Sequence, residues 1–207
     1  MRYMKVDLFI SDIAQSTEHN LICSAIHHRF DPLKLKTGVL RAGDVVAAVA
    51  PTVLGQYHSF PMQFGFWDDS RKRDKMIGAT GIETAENKLI FYDGIFQRRC
   101  VVPVNGFFVS GKDECGNKLN YLVSMPGKEM FYLAGIYKKL QGKPHVILLT
   151  AKAQGENMKY CERLPITVPR SACKRWIDPK RRIKRIWEDW KQNYIFEVTE
   201  YERTENQ

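Results

Sequence analysis

Residues 96–111 read FQRRCVVPVNGFFVSG. Two adjacent guanidiniums, Arg98 and Arg99, precede an apolar run, Cys100-Val101-Val102, and Phe107-Phe108 resumes that run beyond Pro103 and Asn105-Gly106. β-branched and aromatic residues suit a pleated, half-buried surface, whereas Pro, Asn and Gly favour bends. The stretch therefore predicts two buried strand segments with a bend at Pro103 and Asn105-Gly106, and a cationic entrance.

The flanks extend this β pattern. Residues 120–124, 131–137 and 145–151 predict three more strands. KDECGN (112–117) is a turn whose Gly116 and Asn117 accept positive φ. His145 follows Pro144 and reads as a strand-edge residue rather than a catalytic one. Upstream, residues 1–10 predict an opening strand, and 45–50 a short buried strand that Pro51 ends. Residues 11–29 predict a helix, capped by Ser11 or Asp12, with Ile13, Leu21, Ile22, Ala25 and Ile26 as its apolar stripe. His27-His28 at its end suits the C-terminal dipole, and no third ligand accompanies the pair as a metal site would require. RKRDK (71–75) is an exposed charge run. Glu83-Thr84 opens an amphipathic helix to about Tyr92, with Leu89, Ile90 and Phe91 as apolar positions and Glu83 as a capping and dipole residue. Residues 169–190 predict a helix or helix pair, with Ile183, Ile186, Trp187 and Trp190 towards the core. The tail from 194 to 207 holds one strand, IFEVTEY, and a polar end.

The 207 residues suffice to bury roughly 70% of the unfolded surface, and no repeat or linker divides them, so a single domain over 1–207 is expected. An apolar content of 44% excludes a disordered chain. The sequence shows no long apolar run and no charged-then-apolar leader, which argues against a membrane span or secretion. Five cysteines, Cys23, Cys100, Cys115, Cys161 and Cys173, are odd in number and lack C-x-x-C spacing. That argues against a disulfide framework or a zinc site and fits a reducing cytoplasm. A net charge of +9 favours a polyanionic partner such as nucleic acid, through counterion release and long-range attraction.

RRCVVPVNGFF resembles the RRC-L-V-P-A-D-G-F-Y-E-W signature of the SOS response-associated peptidase family, the abasic-site processing proteins. Other segments resemble the family in the same order. Ala50-Pro51-Thr52 is similar to its N-x-A-P-T, which lines the DNA groove. MQFGFWD (62–68) is similar to R-W-G-L-I-P, with Phe64 at the tryptophan position, Gly65 kept and Trp67 added. IGATGIET (77–84) stands at I-N-A-R-x-E-T, FYLAGIY at F-A-F-A-G-L-W, and HVILLTAKA at F-T-I-L-T-T-x-A. NMKYCERLPITV (157–168) stands at M-x-x-x-H-x-R-M-P-V-I-L, and ACKRWIDP at P-x-x-W-L-D-P. The resemblance implies an α+β fold, a mixed and mostly antiparallel sheet or barrel-like core flanked by helices, with no cofactor and no metal.

It also implies what the slots should hold. The family's nucleophile is a second-residue cysteine whose freed amine and thiol together capture the ring-opened aldehyde of an abasic site. Here that residue is Arg2, a permanently protonated guanidinium. The sugar-orienting asparagine is Ala79, the phosphate-holding arginine Gly81, and the catalytic glutamate Val109. The tryptophan after it is Ser110, and the acid–base histidine is Cys161. Arg163 and Pro165 remain.

Three functional readings follow. The first is a catalytically degenerate family member that binds single-stranded or abasic-site DNA non-covalently in a DNA-damage response. Arg98, Arg99 and Arg163 would meet phosphates, Phe64 would stack on a base, and Pro51 would line the groove. The second is a protein-interaction or small-ligand module on the same scaffold. The third is an enzyme with a relocated nucleophile at Cys161, whose thiol Arg163 would activate; the alternative for Cys161 is a small inert core residue. Lys174, Arg175, Lys180, Arg181, Arg182, Lys184 and Arg185 offer the basic helix as another seat for the charge.

Overall fold

The computed structural model describes residues 6–10, 37–52, 54–67, 76–112, 117–128, 130–181 and 196–201. The expectations for 11–29, 71–75, the KDECGN turn at 113–116 and the part of the basic helix (174–185) from 182 onward lie outside them, as does Arg2. The described part of that helix ends at Ile177, where Asp178 turns extended.

Residues 99–112 run one path through two sheets. In β6 (Arg99–Val104), Cys100, Val102 and Val104 enter one apolar cluster and Val101 enters another, so both faces are buried. At Asn105 the chain bends, its N–H donating to the Phe9 carbonyl at 2.9 Å, and continues as β7 (Gly106–Lys112). The bend falls at Asn105-Gly106 alone. Pro103 stays inside β6, where β9 (Phe131–Leu140) pairs one edge and β3 (Val45–Pro51) reaches the other only at Val49–Val101, so its missing N–H breaks no ladder.

Five strands close on themselves: β3 (Val45–Pro51), β4 (Tyr57–Phe64), β6, β9 (Phe131–Leu140) and β10 (Lys143–Lys152). The ring runs β4–β3–β6–β9–β10 and back to β4, antiparallel except for the parallel β10–β4 contact. Closure removes the unpaired edges a flat sheet would present. Gln141 and Gly142, both at positive φ, make the two-residue turn between β9 and β10. Where β4 leaves β10, β5 (Ala79–Gly81) replaces it. On the other side, β11 (Arg163–Pro165) and β12 (Thr167–Val168) wedge between β10 and β9, and Ile166 bridges Leu149 and Ala134 through two 2.8 Å backbone bonds.

A second sheet is antiparallel throughout, in the order β2 (Gly38–Leu40), β1 (Asp7–Ile10), β7, β8 (Lys118–Ser124), β13 (Glu197–Glu200). One apolar cluster joins it to the barrel, through Leu8, Phe107 and Val123 against Val46, Phe64, Val102 and Leu148. The other joins the barrel's Val49, Val101, Ile136 and Ile147 to the helices, through Phe91, Ile95 and Trp176. The mixed α+β architecture with its barrel agrees with expectation.

Two local expectations are corrected. The helix from Glu83 to Tyr92 is two helices, α1 (Ile82–Ala85) and α2 (Leu89–Gln97). The Asn87 amide donates to the Glu83 carbonyl at 2.7 Å, taking the acceptor its own N–H would need to continue the helix. Leu89, expected as apolar core, is 93% exposed. His145 is not at an edge: β9 and β4 flank it, and its buried ring donates from Nδ1 to the Gly65 carbonyl at 2.9 Å.

Arg99 ties the helical side to the barrel. It is 1% exposed, on the β6 face opposite Cys100. Nε donates to the Trp176 carbonyl, Nη1 to Ile95 at 2.9 Å, and Nη2 to Asp178 and, at 2.9 Å, to Arg181. Helices leave their last carbonyls unpaired, and this one guanidinium supplies donors to the ends of both α2 and α3 (Cys173–Ile177). The Trp176 ring lies 5.7 Å from its Cζ, and the indole N–H donates to the Cys100 carbonyl at 2.9 Å. Burial lowers the Arg99 pKa to about 10, opposed by Asp178, so the side chain stays charged at neutral pH. Arg99→Met should destabilise the protein by about 3–5 kcal/mol, because buried carbonyls lose their donors. Arg99→Lys should recover only part of this, since an ammonium cannot reproduce the fork. Urea denaturation of both variants checks the order; equal stability of Met and wild type would refute the clamp.

Candidate functional site

Three of the slots expected to carry chemistry are core residues of the same large cluster. Ala79 on β5, Val109 on β7 and Cys161 before β11 belong to one apolar cluster, with exposures of 0%, 1% and 8%. The alternation of β7 sends Val109 inward and Ser110 outward, where the Ser110 hydroxyl meets Asn120 Oδ1 at 2.8 Å. Cys161 is fixed by a close approach. A Cβ at Gly111 would lie 1.9 Å from the Tyr160 carbonyl oxygen, and the Tyr160 ring meets Tyr121 edge-on at 5.2 Å. Burial pushes the Cys161 thiol up to about 11, and a hydrogen bond from the Arg163 backbone offsets only part of this. A protonated thiol is a poor nucleophile and a poor acid–base group near neutrality. Cys100 and Cys173 are raised too, again by burial.

At the rim of this cluster stands Arg163. Its β11 pairs with the end of β10, where Arg163 faces Lys152 in register. Nε donates to Thr150 Oγ1 at 3.2 Å, and Nη2 donates to the Thr150 carbonyl at 2.9 Å and to Glu83 Oε2 at 2.7 Å. The Arg163 side chain is 27% exposed and the Glu83 side chain 57%. Glu83 sits in the first turn of α1, as expected of a dipole residue, and its side-chain partner comes from 80 residues along the chain. Gly81 completes the group: a Cβ there would stand 2.8 Å from Arg163 Nη2 and 2.9 Å from Glu83 Oε2. The position where the family resemblance places an arginine is thus approached by the arginine of another strand.

The other expected contacts lie elsewhere. Arg98, at the end of α2, is about half exposed and faces Asp93 at 3.9 Å, a long and solvated pair. By register, the levels of Arg98 and Arg163 are separated by six residues of β10, from Val146 to Lys152, or roughly 20 Å along the strand. Pro51 ends β3 opposite Tyr57, two residues beyond Val49, which places it near the level of Arg99 and away from Arg163. Arg99 has its donors turned onto helix-end carbonyls. Phe64 is fully buried in the cluster between the sheets and presents no face to a ligand. The exposed aromatic of that segment is Trp67, at 46%. Among the described residues no group of three His, Cys, Asp or Glu could hold a metal ion, and no helix is long and apolar enough to cross a membrane.

The chain is 27% identical over 111 residues to the abasic site processing protein YoaM of Bacillus subtilis, a match covering 51% of this chain and 48% of that protein. YoqW of the same organism matches at 25% over 111 residues, 51% of this chain and 49% of its own. The chain thus spans about half the length of the curated relatives it matches. Two solved structures share the fold. One from Bacteroides thetaiotaomicron has a TM-score of 0.72 at 16% identity, covering 95% of this chain and 91% of that one. One from Bordetella bronchiseptica has a TM-score of 0.71 at 12% identity, covering 96% and 100%. The model of the SOS response associated peptidase (SRAP) family matches residues 20–202, and the chain belongs to that family.

Proposed function

We propose that this protein is a catalytically degenerate member of its family that binds single-stranded or abasic-site DNA without forming a covalent adduct. The observation that carries the reading is the burial of Ala79, Val109 and Cys161 in one apolar cluster: the first two carry no proton-transferring group, and burial keeps the Cys161 thiol protonated. Arg163 at the edge of that cluster keeps a cation where a phosphate can reach it, and Arg98 supplies a second, more distant one. The net charge of +9 adds long-range attraction. That the two similar Bacillus subtilis proteins are abasic site processing proteins supports the substrate class. The free thiols of Cys100, Cys161 and Cys173 suit a reducing cytoplasm, where we place the protein.

A second reading has its own support. Leu89, Tyr92 and Phe96 are exposed at helical spacing along α2, with the two rings 4.6 Å apart, as an interaction module would display them. Loss of binding to an unidentified protein partner on Tyr92→Ala, with DNA binding intact or absent, would favour it.

Two experiments test the primary reading. The protein is incubated with single-stranded DNA carrying one abasic site, beside an intact strand. No adduct should survive a denaturing gel, and native binding should weaken steeply from about 50 to 200 mM salt through counterion release. A gel-stable adduct overturns degeneracy, and salt-insensitive or absent binding overturns DNA recognition. Peptide-resolved alkylation then separates an inert Cys161 from a nucleophile. With its pKa at about 11, its rate should stay low at neutral pH and rise only as the thiolate forms in alkaline buffer. Fast alkylation at neutral pH would restore the relocated nucleophile.

A further inference from the structure

We infer that Glu83 is a built-in competitor for the Arg163 guanidinium, an internal carboxylate that an anionic ligand must displace and that sets the affinity of the site. The inference rests on the DNA-binding reading and deepens it. Arg163 is held in two ways. Thr150 takes Nε on its hydroxyl and Nη2 on its carbonyl, at 3.2 and 2.9 Å, and this bracket belongs to β10 and is buried. Glu83 takes the same Nη2 at 2.7 Å from a side chain that is 57% exposed. With the guanidinium already positioned by Thr150, the carboxylate adds little to its placement and mainly neutralises its charge. An ion pair this exposed is weak on its own, so a phosphate that makes charge-assisted bonds to the same guanidinium can replace it.

Gly81 fits this account. Its backbone, at φ −66° and ψ 141°, lies in a region open to every residue, so conformation does not call for glycine. Glycine leaves room there: a Cβ would stand 2.8 and 2.9 Å from the two charged ends, both tips of flexible side chains that a small shift would carry clear. The contact is thus formed by three residues together: Gly81 clears the space, Arg163 enters it, and Glu83 meets it there.

Glu83→Gln removes the competing charge and keeps the side chain's size. Binding of a fluorescent single-stranded oligonucleotide at low salt should tighten roughly three- to tenfold, and the gain should fade as salt screens the charges. Arg163→Gln should weaken binding, and in that background Glu83→Gln should gain much less. Thermal melts confirm that each variant folds. If Arg163→Gln weakens binding but Glu83→Gln leaves it unchanged or weaker, Glu83 orients the arginine instead, and this inference alone falls. An equal gain from Glu83→Gln with or without Arg163 reduces Glu83 to a general surface charge and overturns it too. If no form binds, the DNA-binding reading fails and takes the inference with it.

Discussion

A single buried guanidinium sets the relation between the barrel and its helices. Arg99 stands on β6 with its donors turned onto the carbonyl ends of two helices that are distant in sequence, and the Trp176 ring lies beside it. A buried charge is tolerable only when polar atoms replace its water, and here four backbone carbonyls do so. Two of those carbonyls, Ile95 and Trp176, lie in the last turns of their helices, where the helix itself supplies few donors. Each side of the contact removes the other's desolvation penalty. The two apolar clusters then form on opposite faces of the barrel strands without conflict.

The same strand shows how far sequence reads into structure. Two adjacent arginines at 98 and 99 look alike in the chain, and charge alone assigns both to a surface. Side chains alternate along a strand, however, and the step from the end of α2 into β6 separates the two. Arg98 remains about half in water, while Arg99 enters the helix-side cluster. Nothing local distinguishes them, because the carbonyls that bind Arg99 come from residues 95, 176, 178 and 181. The strands were legible for the opposite reason. Runs such as Phe131–Leu140 and Lys143–Lys152 are long, rich in β-formers and punctuated by Gln141-Gly142, so their pattern is local. Phe64 illustrates the limit for aromatics: composition admits both a stacking face and a core residue, and only the second sheet's packing decides for the core.

For the site, the family resemblance assigns the slots, and the fold puts Ala79, Val109 and Cys161 in one cluster. What spacing could not convey was which polar partners meet around them. Glu83 and Arg163 are 80 positions apart, and their pairing depends on β5 and β11 both lying along β10. The chain shows at Gly81 only a missing arginine; the folded structure alone shows that the guanidinium of another strand and the Glu83 carboxylate stand beside it.

Under the proposed reading, the changes at these slots also form a thermodynamic unit. A carboxylate, an imidazole and an amide held together in a dry pocket stabilise one another through hydrogen bonds, and each alone would be an unpaired polar group. Once one is replaced by an apolar residue, the others lose partners, and burial then favours apolar residues at those positions as well. Val109, Ala79 and Cys161 in a single apolar cluster are what such a process leaves behind. The cations follow a different rule, because a partly exposed arginine keeps its hydration and does not depend on the pocket's polarity. On that reading Arg163 can persist beside a site that has lost its buried polar residues; its guanidinium is bonded to Thr150 and Glu83. Loss of proton-transfer chemistry and retention of anion binding are thus separable outcomes of one geometry, since the first requires a polar interior and the second only a charged rim.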